Sequence, residues 1–267
     1  MRAEKSKISA AAGCLLVLPV LLPLPLAAGA SGASGGMGDA GQRDRIVAAV
    51  IAAQGGKEKL AAVKRRRESG RMTLGTDAGG PLVVELARPG KMRMELTVQG
   101  KTFVRTYDGA AGWQLNPFAA GEAAALSGEE LTNISHEADF DGPWIDSAAR
   151  GIRIELAGKE KVEGQDAYRL QVTLKGGDVD YYDFDAASYH KVKWEGTRHQ
   201  NGKAVIYETT FHDFRPVAGL VFPFRIDSGV KGAPASAHIV LTSIELDPPL
   251  EEARFGKPAA LPAVPQP

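Results

Sequence analysis

The stretch KVKWEGTRHQNGKAVIYETTFH, at positions 191–212, decides the fold because it places a two-residue turn between two strand-like segments. Asn201-Gly202 is typical of a type I′ turn, in which both central residues have positive φ. Such a turn pairs Gln200 with Lys203 and so fixes the register of the whole hairpin. The predicted pairs on one face are Val192–Phe211, Trp194–Thr209, Gly196–Tyr207 and Arg198–Val205, and those on the other are Lys191–His212, Lys193–Thr210, Glu195–Glu208 and His199–Ala204. One face is mostly apolar and the other mostly charged, as in an antiparallel sheet with one face in water.

The same alternation recurs on both sides of this hairpin. Met92, Met94 and Leu96 alternate with charged or polar residues, and so do Tyr168, Leu170 and Val172. Further strands are predicted at 178–185, 190–200, 204–214, 220–228 and 238–247. About ten antiparallel strands of this polarity twist and curl instead of lying flat. The predicted fold is therefore mainly β, a single curved antiparallel sheet in the form of an unclosed half-barrel.

Three short helical segments are available to cover the concave face of this sheet. The apolar spacing predicts a helix over 44–53 and a second over 57–63. Ser127 and Glu130 form a capping-box pattern that predicts the start of a third helix, in the middle of the chain. Leu131, Ile134 and Ala138 share one face of that helix, which we expect to lie against the sheet.

The N-terminal residues have the layout of a signal peptide. Arg2, Lys5 and Lys7 precede an apolar segment, and Ala28-Gly29-Ala30 is a small-residue cleavage pattern. We expect residues 1–30 to be removed near Ala30, which predicts a periplasmic protein; an uncleaved membrane anchor is the alternative. Lipid attachment at Cys14 is disfavoured because most of the apolar run follows it. Residues 31–43 are predicted to be a flexible lead-in, 44–257 a single domain, and 258–267 a disordered Pro/Ala tail.

Charge and cysteine content exclude several classes of protein. The formal net charge is zero, whereas nucleic-acid binding requires a concentrated basic face. Cys14 is the only cysteine, so the mature chain has no disulfide and no thiolate site. The one basic cluster, 64–67, is interpreted as a solvated junction between a helix and a strand. We expect no nucleic-acid partner, cofactor or metal.

Several motifs, by their order along the chain, resemble one known family. The motifs are RPGKMRME at 88–95, YDG at 107–109 with GW at 112–113, GKEKVEG at 158–164 with AYRL at 167–170, and FR at 214–215 with GLVFP at 219–223. They resemble the bacterial outer-membrane lipoprotein-sorting proteins of LolA type, over about 48–257. The resemblance implies an unclosed β-barrel around an apolar cavity, with helices as a lid. It also implies a carrier that shields acyl chains of lipoproteins or lipids in the periplasm.

Catalytic motifs are few. The sequence contains no Gly-x-Ser-x-Gly elbow, no His-Glu-x-x-His and no phosphate-binding glycine loop. Two arrangements keep an envelope hydrolase open as an alternative. The first is His190 opposite Asp213, which is more often a structural pair. The second is His136 with Asp139 and Asp141, which could hold a metal but is more often a solvated helix end.

The function favoured by these observations is a non-enzymatic carrier of an apolar ligand, either a lipid or a lipoprotein acyl chain. Its expected role is in the sorting of outer-membrane lipoproteins, with other envelope proteins as further partners. The alternatives are a scaffold subunit that recruits a partner through a sheet edge and, less favoured, the hydrolase. The same apolar side chains could also form an ordinary core. The predicted ligand-binding residues are Met92, Met94, Leu96, Leu131, Ile134, Tyr168, Leu170, Val172, Val192, Trp194, Tyr207 and Phe211.

Overall fold

The computed structural model describes residues 37–76, 78–119, 121–200 and 202–260. The predicted signal peptide at 1–30 and most of the predicted tail, 261–267, lie outside these residues. Within them no helix is long and apolar enough to cross a membrane.

Thirteen strands form one antiparallel sheet whose strand order is β6-β5-β4-β3-β2-β1-β13-β12-β11-β10-β9-β8-β7. The sheet is curved and does not close into a barrel, as predicted. Its strands are β1 Arg65–Leu74, β2 Ala78–Ala87, β3 Lys91–Val98, β4 Lys101–Tyr107, β5 Gly112–Leu115, β6 Ala123–Ala125, β7 Arg153–Val162, β8 Gln165–Thr173, β9 Val179–Asp185, β10 Lys191–Gln200, β11 Lys203–Val217, β12 Leu220–Val230 and β13 Ala237–Leu246. The first and last strands of the chain, β1 and β13, pair at the centre of the sheet.

The hairpin of β10 and β11 has the predicted register over most of its length. The pairs run from Gln200–Lys203 to Lys193–Thr210 and include Trp194–Thr209. A register shift between Lys191 and Lys193, opposite β9, interrupts the alternation. The predicted pairs Val192–Phe211 and Lys191–His212 lie beyond the regular ladder with β11. On the other side of β10, Lys191 pairs with Phe184 of β9. Because Phe184 faces the concave side, Lys191 faces that side as well.

Two glycines allow neighbouring strands to approach closely where the sheet bends. A Cβ at Gly80 of β2 would lie 1.8 Å from the carbonyl oxygen of Thr97, and one at Gly70 of β1 would lie 2.3 Å from that of Val240. Distances this short are impossible for a real side chain, so only glycine fits. Gly70 also lies at a bulge of the partner strand β13, where Thr242 is the extra residue between the partners of Ser69 and Gly70. Bulges and glycines of this kind give an open sheet its curvature.

Three helices lie on the concave side: α1 Met37–Ala53, α2 Lys57–Ala62 and α3 Gly128–Glu137. α1 begins seven residues before the predicted start, so the second half of the predicted flexible lead-in is helical. Ser127 is the N-cap of α3, as the capping-box pattern predicts, but its side chain makes no capping hydrogen bond. A short 3₁₀ helix, Glu252–Phe255, packs Phe255 against Ala87 on the convex side.

The concave side contains two separate apolar cores. One lies under α3 and consists of Met72, Leu82, Leu86, Met92, Met94, Leu96, Phe103, Leu126, Ile134, Ala138 and Ala237. The other lies under α1 and consists of Ile46, Val50, Trp144, Ile152, Ile154, Leu170, Val172 and Phe184. α3 also contacts β10, on the far side of the curved sheet. The helices therefore cover the two ends of the concavity, and the centre of the concavity lies between the two cores.

Candidate ligand-binding cavity

A cavity of about 480 Å³ lies between the central strands and the segment that follows α3. Its floor is a row of apolar side chains across four neighbouring strands. Met72 of β1 pairs with Ile239 of β13, Ile239 pairs with Ile226 of β12, and Ile226 pairs with Phe211 of β11. Because paired residues in a sheet point to the same face, these four side chains form one continuous surface.

The wall and roof of the cavity come from three further parts of the chain. β2 and β3 supply a wall of paired residues, Val84 with Met94 and Leu86 with Met92. The segment 139–145 and the beginning of β12, 220–223, cover the cavity, and α2 contributes Leu60. Most of the cavity lining is apolar, and it includes three methionines, whose flexible side chains adapt to ligands of different shape.

Four ion pairs border this apolar surface. Arg66 contacts Glu68 at 2.8 Å within β1, and both side chains line the cavity. The other lining charges pair as Arg88 with Asp141, Glu137 with Arg105 and Asp139 with Arg150. Phe140 lies between two of the cations, with its ring centroid 5.2 Å from the guanidinium carbon of Arg66 and 4.5 Å from that of Arg88. These charges are therefore neutralised in pairs or lie on an aromatic face.

Lys191 differs from the other lining cations. Its Nζ lies 4.0 Å from the ring centroid of Phe211, and among the described residues it makes no ion pair with a carboxylate. Burial lowers the pKa of Lys191 to about 8, and this value includes a further lowering by the nearby charge of Arg66 and an opposing effect of Glu68. The side chain is partly buried where it borders the cavity. The ammonium group of Lys191 therefore lies against an apolar surface and loses its proton at a lower pH than an ordinary lysine.

The twelve predicted ligand-binding residues fall into four groups of three. Met92, Met94 and Phe211 line the cavity. Leu96, Leu131 and Ile134 belong to the core under α3, whereas Leu170, Val172 and Tyr168 belong to the core under α1. Val192, Trp194 and Tyr207 lie outside the cavity lining; Trp194 packs on Arg198, and Tyr207 is buried.

Neither predicted catalytic arrangement is assembled. The ring of His190 stacks on Phe214 at 4.5 Å, whereas the carboxylate of Asp213 binds Arg215. The predicted pair of His190 and Asp213 does not form, because β10 begins only at Lys191 and the positive φ of Asp213, 54°, disturbs the regular pairing of β11. Asp139 and Asp141 are held apart by Arg150 and Arg88, so they do not converge on His136.

One group of carboxylates does converge within the described part of the chain: Glu160, Asp183 and Glu195, on the convex face. Arg169 occupies its centre, with ion pairs of 2.8 Å to Glu160, 2.8 Å to Asp183 and 2.6 Å to Glu195. Lys193 contacts two of the same carboxylates. The cations occupy the positions that a metal ion would take, so this group is a structural ion-pair network.

The interpretation of 64–67 as a solvated junction is wrong for Arg66. Arg66 points into the cavity, whereas Arg67 points to the convex face and binds the buried Glu85. The signal was present in the sequence, because Arg66 and Glu68 share the period-two face of Met72. The sequence pattern predicts Lys191 on the charged face. The bulge that directs it into the cavity cannot be recognised from the alternation of apolar and polar residues.

Comparisons with known proteins agree with this architecture. No family model matches the chain, and no curated protein matches it in sequence. A DUF1329 family protein from Desulfovibrio piger has a structure with a TM-score of 0.53 and 13% identity, covering 80% of this chain and 97% of that chain. A putative outer membrane lipoprotein-sorting protein domain from Vibrio parahaemolyticus has a TM-score of 0.52 and 15% identity, covering 81% and 97%. The fold is LolA-like. A LolA superfamily protein from Nitrosomonas europaea has a TM-score of 0.51 and 13% identity, covering 80% of this LolA-like chain and 97% of its own.

Proposed function

We propose that this LolA-like protein is a non-enzymatic carrier that binds an acyl chain, of a lipid or a lipoprotein, in the cavity between its sheet and its helices. The observation that carries the proposal is the continuous apolar floor of Met72, Ile239, Ile226 and Phe211 beneath an open volume of about 480 Å³. Pockets for small molecules typically measure ~300–1,000 Å³, so the cavity has the right size for such a ligand.

Apolar contact alone supplies substantial affinity in such a cavity. Each methylene group that leaves water contributes ~0.8 kcal/mol, so a chain of several methylenes binds without any specific polar contact. The flexible methionines of the wall suit chains of different length and branching. A carrier that shields acyl chains needs this tolerance.

The place of action that we propose is the periplasm, reached through the predicted signal peptide at 1–30. One structure of similar fold is described as a putative outer membrane lipoprotein-sorting protein domain. We propose the sorting of outer-membrane lipoproteins as the role of this chain on the basis of that fold, with other envelope proteins as donor and acceptor.

The two edges of the sheet give little support to the alternative role of a scaffold that pairs with a partner strand. β6 has only three residues. β7 is longer, but it carries Arg153, Glu155, Lys159 and Lys161. Short edges and edges rich in charge are the features that discourage pairing with another chain.

The substitution Ile239→Trp tests the carrier proposal, because it adds bulk to the middle of the cavity floor. We expect the wild type to bind a fluorescent, uncharged dodecanol derivative, and Ile239→Trp to weaken this binding at least tenfold. Excluding about two methylenes from the cavity costs ~1.6 kcal/mol, which corresponds to that factor. Fluorescence titration gives the dissociation constants, and native mass spectrometry of protein from its own periplasm reveals any ligand that is already bound.

The matched control is Val240→Trp, at the next residue of the same strand. Val240 points to the opposite face and is 50% exposed, so the added indole lies in water. This variant should bind the probe as the wild type does. The carrier proposal is overturned if the wild type does not bind the probe, or if both variants lose binding equally.

A further inference from the structure

We propose that Lys191 binds the anionic headgroup of the ligand inside the cavity, so that the cargo is an acyl chain ending in an acid group, of which a fatty acid is the simplest. This inference rests on the proposed carrier function and adds to it a chemical class of ligand. Three observations support it: the direction of the side chain, the pairing of the surrounding charges and the nature of the adjacent surface.

The first observation is that a local irregularity of β10 directs Lys191 into the cavity. In a regular strand Lys191 and Lys193 would share a face, and Lys193 belongs to the ion-pair network on the convex side. The register shift between them reverses this, and Lys191 lies over the ring of Phe211 instead. Bulges frequently re-aim a side chain next to a binding site.

The second observation concerns charge balance. Arg66 and Arg88, the other cations that line the cavity, each have a carboxylate partner. The lining carboxylates Glu137 and Asp139 are neutralised by arginines behind the wall. Within the described residues Lys191 has no such ion pair, so when protonated it adds one uncompensated positive charge to the cavity. An amine at this depth loses hydration, and a bound anion restores both its hydrogen bonds and its charge balance.

The third observation is that the charge lies directly beside the apolar floor. Phe211 contacts Lys191 and also ends the row that runs through Ile226 and Ile239. A ligand whose chain lies on this row therefore ends at the ammonium group. A neutral alcohol of the same length would fill the row but leave the cation without a counter-charge.

The test compares dodecanoate with dodecanol, both as competitors of the neutral fluorescent probe, on the wild type and on Lys191→Met. We expect the wild type to prefer dodecanoate, and Lys191→Met to bind it roughly tenfold to hundredfold more weakly, as is typical for the loss of a charge-assisted hydrogen bond. Binding of dodecanol should stay within about threefold, because methionine keeps the apolar stem. Dodecyl phosphate is tested in the same way, and a Lys191-dependent preference for it identifies a phosphate headgroup instead of a carboxylate.

The outcomes separate this inference from the carrier proposal. If dodecanol binds the wild type and Ile239→Trp prevents it, the carrier proposal holds. If Lys191→Met then lowers the affinities for dodecanoate and dodecanol by the same factor, or leaves both unchanged, the headgroup assignment alone is overturned. If no compound binds the wild type, the carrier proposal fails first.

The pH dependence gives an independent readout. The groups that face Lys191 are Arg66 and Glu68 from β1, Tyr182 from β9 and the adjacent His190. Since the pKa of Lys191 is about 8 in the free protein, its charge is present below that pH and is lost above it. The preference for dodecanoate over dodecanol should therefore fall by up to about tenfold per unit above pH 8. Lys191→Arg, which stays charged, should keep the preference at high pH; a preference that falls equally in this variant contradicts the assignment.

Discussion

Replacing Arg169 with methionine is expected to lower the free energy of unfolding by about 3–5 kcal/mol, as is typical when one partner of a buried ion pair is removed. Arg169 binds Asp183 and Glu195, which are 0% and 4% exposed. Burial raises the pKa of Asp183, with Glu160 adding to the effect, although Arg169 opposes it. Without the guanidinium, Asp183 is left with a desolvated charge. Urea unfolding, followed by circular dichroism, measures the loss.

The matched control for this prediction is Lys161→Met, which breaks an exposed ion pair nearer the turn of the same β7–β8 hairpin. Lys161 and Asp166 are 69% and 66% exposed, and such a pair adds little to stability. The urea midpoint should stay within error of the wild type.

The deficit of Arg169→Met should also narrow as the pH is lowered from about 9 to about 7, because the pKa of Asp183, which is about 7 with Arg169 present, rises further without it and protonation then removes the uncompensated charge. A carboxyl group whose pKa is raised in the folded state makes the free energy of unfolding increase as the pH falls, so the deficit becomes smaller at lower pH. A deficit equal to that of Lys161→Met would show that the network is not a buried one.

Turns and period-two alternation predict most strands of the sheet, because both are local properties of the chain. Asn201-Gly202 fixed the register of the hairpin, and the pairs from Gln200–Lys203 to Lys193–Thr210 follow from the turn alone. The shortest strands, β5 and β6, were missed because segments of four and three residues are too short to show a period.

The irregularities of the strands account for what the sequence did not reveal about the site. Lys191 changes face at a bulge, and Asp213 adopts a positive φ that separates Phe214 from the alternation of β11. Both effects depend on how the sheet curves against its helices, which is a non-local property. The alternation of β1 places Arg66 and Glu68 on the cavity face, but four consecutive basic residues at 64–67 are more typical of a solvent-exposed segment.

The sequence also did not predict which apolar residues line the cavity and which belong to the filled core. Leu170 and Val172 have the same alternation as Met92 and Met94, yet α1 covers the first pair and leaves open space beside the second. Which part of a concave face a helix covers depends on the docking of that helix, and no local pattern records it. Apolar alternation therefore predicts a buried face without predicting a cavity.

Phe184→Ala is expected to lower the free energy of unfolding by about 3–5 kcal/mol, the usual cost of removing a large buried aromatic side chain. Phe184 is fully buried under α1 and makes an edge-to-face contact with Trp144, at 5.1 Å between ring centroids. Trp144 lies in the segment that covers the cavity. The variant should therefore lose both stability, measured by urea unfolding, and affinity for the uncharged dodecanol probe, because the roof of the cavity loses its anchor.

Phe118→Ala separates these effects from the mere loss of an aromatic ring. Phe118 is 39% exposed and packs on Phe103, away from the cavity lining, so its removal should cost about 1 kcal/mol or less and leave probe binding unchanged. Equal losses of stability in the two variants would contradict the burial of Phe184. A stability loss in Phe184→Ala without any change in probe affinity would show that the core under α1 supports the fold but does not hold the roof over the ligand.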